Sequence, residues 1–207
     1  MSFSYETKNE LCRLPVQKLC CARAEAYGIL LYCNTFSATE VRVITENPNF
    51  AERLPKLFRR AFGLSFDRQP DKEQTEGKRI FQITDPRKLN HIINVLGYDP
   101  QQNLVLHINF AFMEAACDQA AFLRGAFFAG GSITDPQKRY HLELTTSHLQ
   151  VSREIESLLV ECGYPPKSLS RNGSSITYFK QSEKPIFNSV QDVETSMVTL
   201  HKKFRDR

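Results

Sequence analysis

The sequence predicts an α+β fold of two pseudo-symmetric halves, each running αββαββα and packed against the other through its first helix. Three observations predict it. Two amphipathic stretches closed by glycine, AERLPKLFRRAFG (Ala51 to Gly63) and VSREIESLLVECG (Val151 to Gly163), lie 100 positions apart, each behind a strand-like segment. Two more hydrophobic stretches, CARAEAYGILLYC (Cys21 to Cys33) and CDQAAFLRGAFFAGG (Cys117 to Gly131), stand ahead of them, with Gly28 and Gly125 97 positions apart inside them. The segments between alternate apolar and polar residues, as antiparallel strands do when one face lies on helices and the other in water. At 207 residues, 41% of them hydrophobic, the chain can bury a core common to both halves.

The elements follow in order. In the first half, residues 1–110 with an N-terminal extension, the Cys21 to Cys33 helix leads to the strand EVRVITEN (Glu40 to Asn47) and then to the glycine-closed helix. The short strands LSFDR and KRIFQITD follow, joined by the charged loop PDKEQTEG, and a helix PRKLNHIINVLG ends the half with proline early and glycine late. The second half, residues 111–207, repeats the order. YHLELTTS places Thr145 100 positions after Thr45, with Asn47 and Ser147 as turn or cap residues between strand and helix, and PKSLSR and SITYFKQ meet at the tight-turn sequence Arg171-Asn172-Gly173-Ser174. A last helix is expected from about 190 to 204.

A glycine inside a helix costs about 1 kcal/mol relative to alanine. Two such glycines at matching positions predict that the first helices approach backbone to backbone at Gly28 and Gly125. Gly130 and Gly131 end the second of these helices and open a strand. They are either a plain helix stop or the remnant of a catalytic site.

Composition narrows the function. Lys+Arg 27 against Asp+Glu 23 permits an anionic partner such as nucleic acid without demanding one. The six cysteines, Cys12, Cys20, Cys21, Cys33, Cys117 and Cys162, show no C-x-x-C spacing, and adjacent Cys20 and Cys21 have too few neighbouring ligands in sequence to hold a metal, so no metal site and no cofactor are expected. The five histidines form no H-E-x-x-H pattern, and AGGS lacks the Lys-Ser/Thr of a phosphate loop. With no signal peptide and no apolar run near 18 residues, a cytoplasmic protein off the membrane is expected, with its thiols reduced.

Read by alternation, the exposed sheet faces carry Arg42, Arg79 and Lys180, with Lys138, Arg139, Lys167 and Arg171 at strand ends or turns. These are the candidate DNA contacts, phosphate-directed in kind. Lys56, Arg59 and Arg60 stripe the helix Ala51 to Gly63, either as a solvated face or as further phosphate contacts.

Two halves, each opened by a glycine-containing hydrophobic helix that ends in a small turn before a strand, resemble the LAGLIDADG homing-endonuclease fold. The wording FLRGAFFAGGSITDPQKRYHLEL, the opening MSFSYETKNELCRL and CC-x-R-A-E at Cys20 to Glu25 are similar, more narrowly, to the WhiA family of bacterial regulators linked to sporulation and cell division. In the endonucleases an acidic residue just before the final glycine of each motif holds the metals that cut DNA. The resemblance puts these two positions on Cys33 and Gly130, neither of which can ligate as a carboxylate does, with Gly131 as the closing glycine and Asn34, a turn residue that tolerates positive φ, in the corresponding place. It therefore implies no enzyme activity and a domain for DNA-associated transcription control, near the nucleoid. Glu25 and Asp118 lie at the far ends of the helices, and Asp135 sits in a TDP turn. The family's carboxy-terminal helix-turn-helix domain is expected to be absent from these 207 residues. Two other functions use the same scaffold: a metal-dependent nuclease with relocated ligands, and a module that senses a small effector or a protein partner.

Overall fold

The computed structural model describes residues 2–16, 18–71, 74, 77–99, 104–134, 141–161 and 163–180. Helix α1, Phe3–Leu11, is started by Ser2, whose hydroxyl accepts the Tyr5 N–H. Helix α2, Leu19–Tyr32, leads through β1, Thr35–Phe36, and β2, Val41–Thr45, to α3, Pro48–Phe62, and then to β3, Arg79–Ile83, and α4, Pro86–Val95. A 3-10 turn at Phe110–Phe112 precedes the second half: α5, Ala116–Gly130; β4, Gly131–Ile133; β5, His141–Thr146; α6, Leu149–Glu161; β6, Lys167–Arg171; and β7, Ser174–Lys180.

The predicted order of elements holds across these residues with two differences. LSFDR makes only an isolated bridge, Arg68 to Gln82, so the first sheet is β1-β2-β3 while the second is β4-β5-β7-β6, both antiparallel. The N-terminal extension, read without an element of its own, is the helix α1. The segment 190–204, expected as a helix, lies outside the described residues.

Local chemistry accounts for the helix boundaries. Asn47 caps α3 by accepting the Phe50 N–H, Pro48 follows at the first helical position, and Gly63 closes the helix in the left-handed region at φ 70°. Asp85 and Pro86 start α4 in the same way. The turn before α3, in which the Thr45 hydroxyl accepts the Asn47 N–H, recurs at Thr146 and His148. The turn is thus 101 positions on, and the match read at Thr145 and Ser147 was one residue short.

Helices α2 and α5 form the centre. Both are hydrophobic on every side, and Tyr27, Ile29, Leu30, Leu31, Phe122 and Ala126 have no more than 1% of their surface in water. Their seam obeys the 97-residue offset. A Cβ on Gly28 would lie 2.1 Å from the Phe122 carbonyl oxygen and 2.8 Å from the Ala126 nitrogen; one on Gly125 would lie 2.0 Å from the Glu25 carbonyl oxygen and 3.0 Å from the Ile29 nitrogen. Each glycine touches the two residues that match the other's contacts, so the seam is a local two-fold. Such close approach excludes any side chain there and offsets the helical cost of glycine.

A buried charge cluster ties this seam to the rest of the fold. Glu25, fully buried, accepts from Arg53 Nε at 2.6 Å and Nη2 at 2.9 Å, and from Arg124 Nε at 2.8 Å and Nη2 at 2.6 Å. Arg53 also donates to the carbonyls of Cys12 and Leu14, so α2, α3, α5 and the segment after α1 meet at one carboxylate. Two guanidiniums satisfy its oxygens, as a buried carboxylate requires.

Candidate nucleic-acid interface

The sheets place the predicted basic residues unequally. In the first sheet Arg42 pairs with Gln82 and lies on the outer face, its side chain 44% exposed, donating to the Thr35 hydroxyl at 3.2 Å with Glu40 nearby at 3.9 Å. Arg79 does not join it. It shares a face with Phe81 and Ile83, two and four residues on, and that face is turned inward. Arg79 is 6% exposed and donates to the carbonyls of Glu46, Gly77 and Gln74, so its guanidinium closes the loop before β3. The alternation was present in RIFQI, but its parity assigns Arg79 to the core side, and Arg79 is corrected from DNA contact to a structural arginine.

In the second sheet Lys167 pairs with Tyr178, which pairs with Glu143, which pairs with Ser132. Arg171, four residues after Lys167, falls on the same face of β6, and Lys180 holds the register position opposite His141 on that face. Every residue of β6 is exposed. The row is linked by hydrogen bonds, Ser132 Oγ to Glu143 at 3.1 Å and His141 with Glu143 at 3.1 Å. Lys138 and Arg139 lie outside the described residues. Arg42 on one sheet, with Lys167, Arg171 and the register position of Lys180 on the other, is therefore the described part of the predicted set that lies on outer faces. Lys56, Arg59 and Arg60 are exposed on α3, away from the sheets; Lys56 pairs with Glu52 at 2.6 Å, and with Arg13 and Arg60 it borders a cleft of about 870 Å³ between α1 and α3.

At the C-terminal ends of α2 and α5 the backbone is tightly packed. A Cβ on Gly130 would lie 2.3 Å from the Thr145 carbonyl oxygen and 3.0 Å from the Tyr32 ring. Cys33 is buried, its thiol donates toward the carbonyls of Leu30 and Thr35, and burial pushes its pKa up to about 12. Both helices leave in extended backbone, Cys33 at φ −76° and Gly131 at φ −93°, so Gly131 serves space rather than a left-handed turn: its Cβ would strike Phe127. Asn34 is not at positive φ either; its side chain accepts the Ile44 N–H at 2.8 Å. Nearby, Lys8 of α1 donates to the Phe128 carbonyl at 3.1 Å, 5.5 Å from the centre of the Phe127 ring, and burial lowers its pKa to about 8. An ammonium thus satisfies a carbonyl at the end of α5.

Sequence spacing missed two constellations. The Glu25 cluster joins residues 28 and 99 positions apart. At the N-terminal ends of α2 and α5, Cys20, Cys21, Cys117 and Asp118 come together, their ligand atoms all within 4.8 Å of one another. The 97-residue offset of the glycines was the signal that could have found the second, because it maps Cys20 onto Cys117 and Cys21 onto Asp118.

Comparison with known proteins agrees with this architecture. Residues 119–200 match the WhiA LAGLIDADG-like domain. A probable cell division protein WhiA of Ruminiclostridium cellulolyticum is 33% identical over 193 residues, covering 89% of this chain and 61% of its own length; that of Alkaliphilus metalliredigens is 29% identical, covering 90% and 62%. The chain thus spans about three-fifths of the curated relatives it matches. The crystal structure of the N-terminal LAGLIDADG domain of WhiA superposes with a TM-score of 0.66 over 96% of this chain and 92% of that one at 16% identity. The homing endonuclease I-DmoI, solved with DNA and Mn, superposes with 0.54 over 89% and 98% at 12%. In sequence this chain is similar to the WhiA proteins, residues 119–200 match their LAGLIDADG-like domain, and its fold is that of the solved WhiA N-terminal domain.

Proposed function

We propose that this chain is a non-catalytic, DNA-associated domain of a cytoplasmic, nucleoid-bound regulator that controls transcription in sporulation and cell division. The observation that carries the reading is the closed end of the α2–α5 pair. If Gly130 and Cys33 stand where the endonucleases hold their metal-binding carboxylates, one position has no space for a side chain and the other holds a buried, protonated thiol. A hard divalent cation needs oxygen ligands beside the scissile phosphate, and neither position offers one. The scaffold retains what binding needs: two antiparallel sheets whose outer faces carry the exposed cations Arg42, Lys167 and Arg171, of the kind that contact phosphate oxygens. That I-DmoI was solved on DNA supports this use of the fold. The relatives' name supports the link to cell division.

The test is DNA binding by the 207-residue chain at two salt concentrations, with and without magnesium, on a gel that also resolves cleavage. Binding that weakens steeply with salt and leaves the DNA intact is the expected result, because phosphate contacts release counterions. Loss of Lys167 and Arg171 together should lower the salt slope by about two, roughly one per phosphate contact. Magnesium-dependent cleavage would overturn the reading in favour of a nuclease with relocated ligands. Absence of binding would move the domain's role to a protein partner or an effector.

A further inference from the structure

We propose that Cys20, Cys21, Cys117 and Asp118 form a zinc site at the N-terminal ends of α2 and α5, joining the two halves at the end of the helix pair opposite the closed motif ends. The four ligand atoms lie within 4.8 Å of one another and come from both helices, two from each. A tetrahedral zinc with bonds near 2.3 Å to sulfur needs ligand atoms roughly 3.7 Å apart, so side-chain rotations of about an ångström complete the shell without moving either helix. Three sulfurs and one carboxylate oxygen are a donor set that suits zinc over magnesium or calcium, which take oxygen shells.

Two further observations point to a cation as the occupant. Asp118 is 7% exposed and forms no ion pair among the described residues; its neighbours are thiols, with Cys117 Sγ at 3.7 Å from Oδ1. Glu25, less than two turns away in α2, shows what this protein otherwise does with a buried carboxylate, which is to supply two arginines. Neither helix start carries a side-chain cap, at Lys18 in α2 or at Ala115 in α5, so the positive ends of two helix dipoles converge on the tetrad. The two-fold that builds the glycine seam also builds the site: the same 97-residue offset relates Cys20 to Cys117 and Cys21 to Asp118.

The site is also exposed enough to load. Cys20 is open to solvent while Cys21 and Cys117 are half-buried, so a metal can enter from the Cys20 side and find its remaining ligands behind it. About 20 Å of helix separates it from Cys33, so it does not replace the endonuclease site.

The experiment uses the intact chain stripped with chelator under reducing conditions and titrated with cobalt, whose spectrum reports its ligands. One cobalt per chain, with an intense thiolate charge-transfer band and tetrahedral visible bands that zinc then abolishes, is the expected result. Cys20→Ser, at the exposed corner, should weaken binding by more than about tenfold, the scale on which even outer ligand partners act. Cys12→Ser, outside the tetrad, should leave the spectrum unchanged. A cobalt spectrum without thiolate bands in the folded wild-type chain overturns the site, as does a spectrum that survives Cys20→Ser and is lost in Cys12→Ser. Isolation of a Cys21–Cys117 disulfide that, once reduced, still takes no metal overturns it equally. None of these readouts involves DNA, so failure here leaves the DNA-binding reading standing, and the reverse holds.

Discussion

The two ends of the α2–α5 pair are built on one symmetry and filled by opposite means. The C-terminal end is closed: backbone crowds Gly130, Cys33 is buried, and Lys8 brings a cation of its own to the last turn of α5. At the N-terminal end four ligating groups have been gathered, three of them accessible. Between them lies a stretch in which the helices touch through backbone, braced by Glu25 and its two arginines. A single pseudo-dyad therefore does not force the same chemistry on its two poles. What each pole does depends on the one or two side chains at its mouth.

Three substitutions test this contrast. The largest effect is expected at the brace. Glu25→Gln leaves two guanidiniums without a counter-charge in a fully buried position, and should cost about 3–5 kcal/mol in a denaturant melt. A loss below about 1 kcal/mol would mean that the two ends are not held by it. Next comes the closed pole. Gly130→Asp places a carboxylate at the end of α5, yet its Cβ meets the Thr145 carbonyl; it should cost about 1–3 kcal/mol and yield no magnesium-dependent cleavage. Cleavage by this variant would show that only the missing acid separates the domain from a nuclease.

The smallest effect belongs to Lys8. Its pKa is held at about 8 by burial against an ordinary value of 10.5, so between those values the unfolded chain binds more protons than the folded one. Burial of the charged amine therefore costs stability below pH 8, and that cost is relieved as pH rises toward 10.5. Stability measured by denaturant at pH 7.5 and pH 10 should rise from this group in the wild-type chain, and Lys8→Met should flatten the rise. An unchanged slope would remove Lys8 from the account of that pole.

Much of the fold was legible because its evidence is local or periodic. Helix α3 announces itself through the Asn47 cap, Pro48 and Gly63, and the halves through glycine positions that repeat. Local evidence also misled where parity mattered: Arg79 stands among alternating residues, and only the positions of Phe81 and Ile83 show that its face is the inner one. Helix α1 was missed although Ser2 is a capping residue, because its weakly sided pattern buries only Thr7 and Leu11. The Glu25 cluster and the cysteine tetrad were invisible to spacing rules for a different reason. Their members lie on separate helices, and only the packing of α2 on α5 brings them within bonding range. Of the candidate phosphate contacts, Arg42, Lys167 and Arg171 could be placed on outer faces from alternation and turn chemistry.

The glycine seam has a mechanical meaning. Where Gly28 and Gly125 meet their partners, no layer of rotatable side chains lies between the helices; peptide groups bear directly on peptide groups. Side chains can take up small displacements by changing rotamer, whereas close-packed backbone resists them. A tilt imposed on one helix must be followed by the other, so α2 and α5 behave as one shaft. Strand β1 follows α2 and β4 follows α5, so each sheet takes its bearing from that shaft.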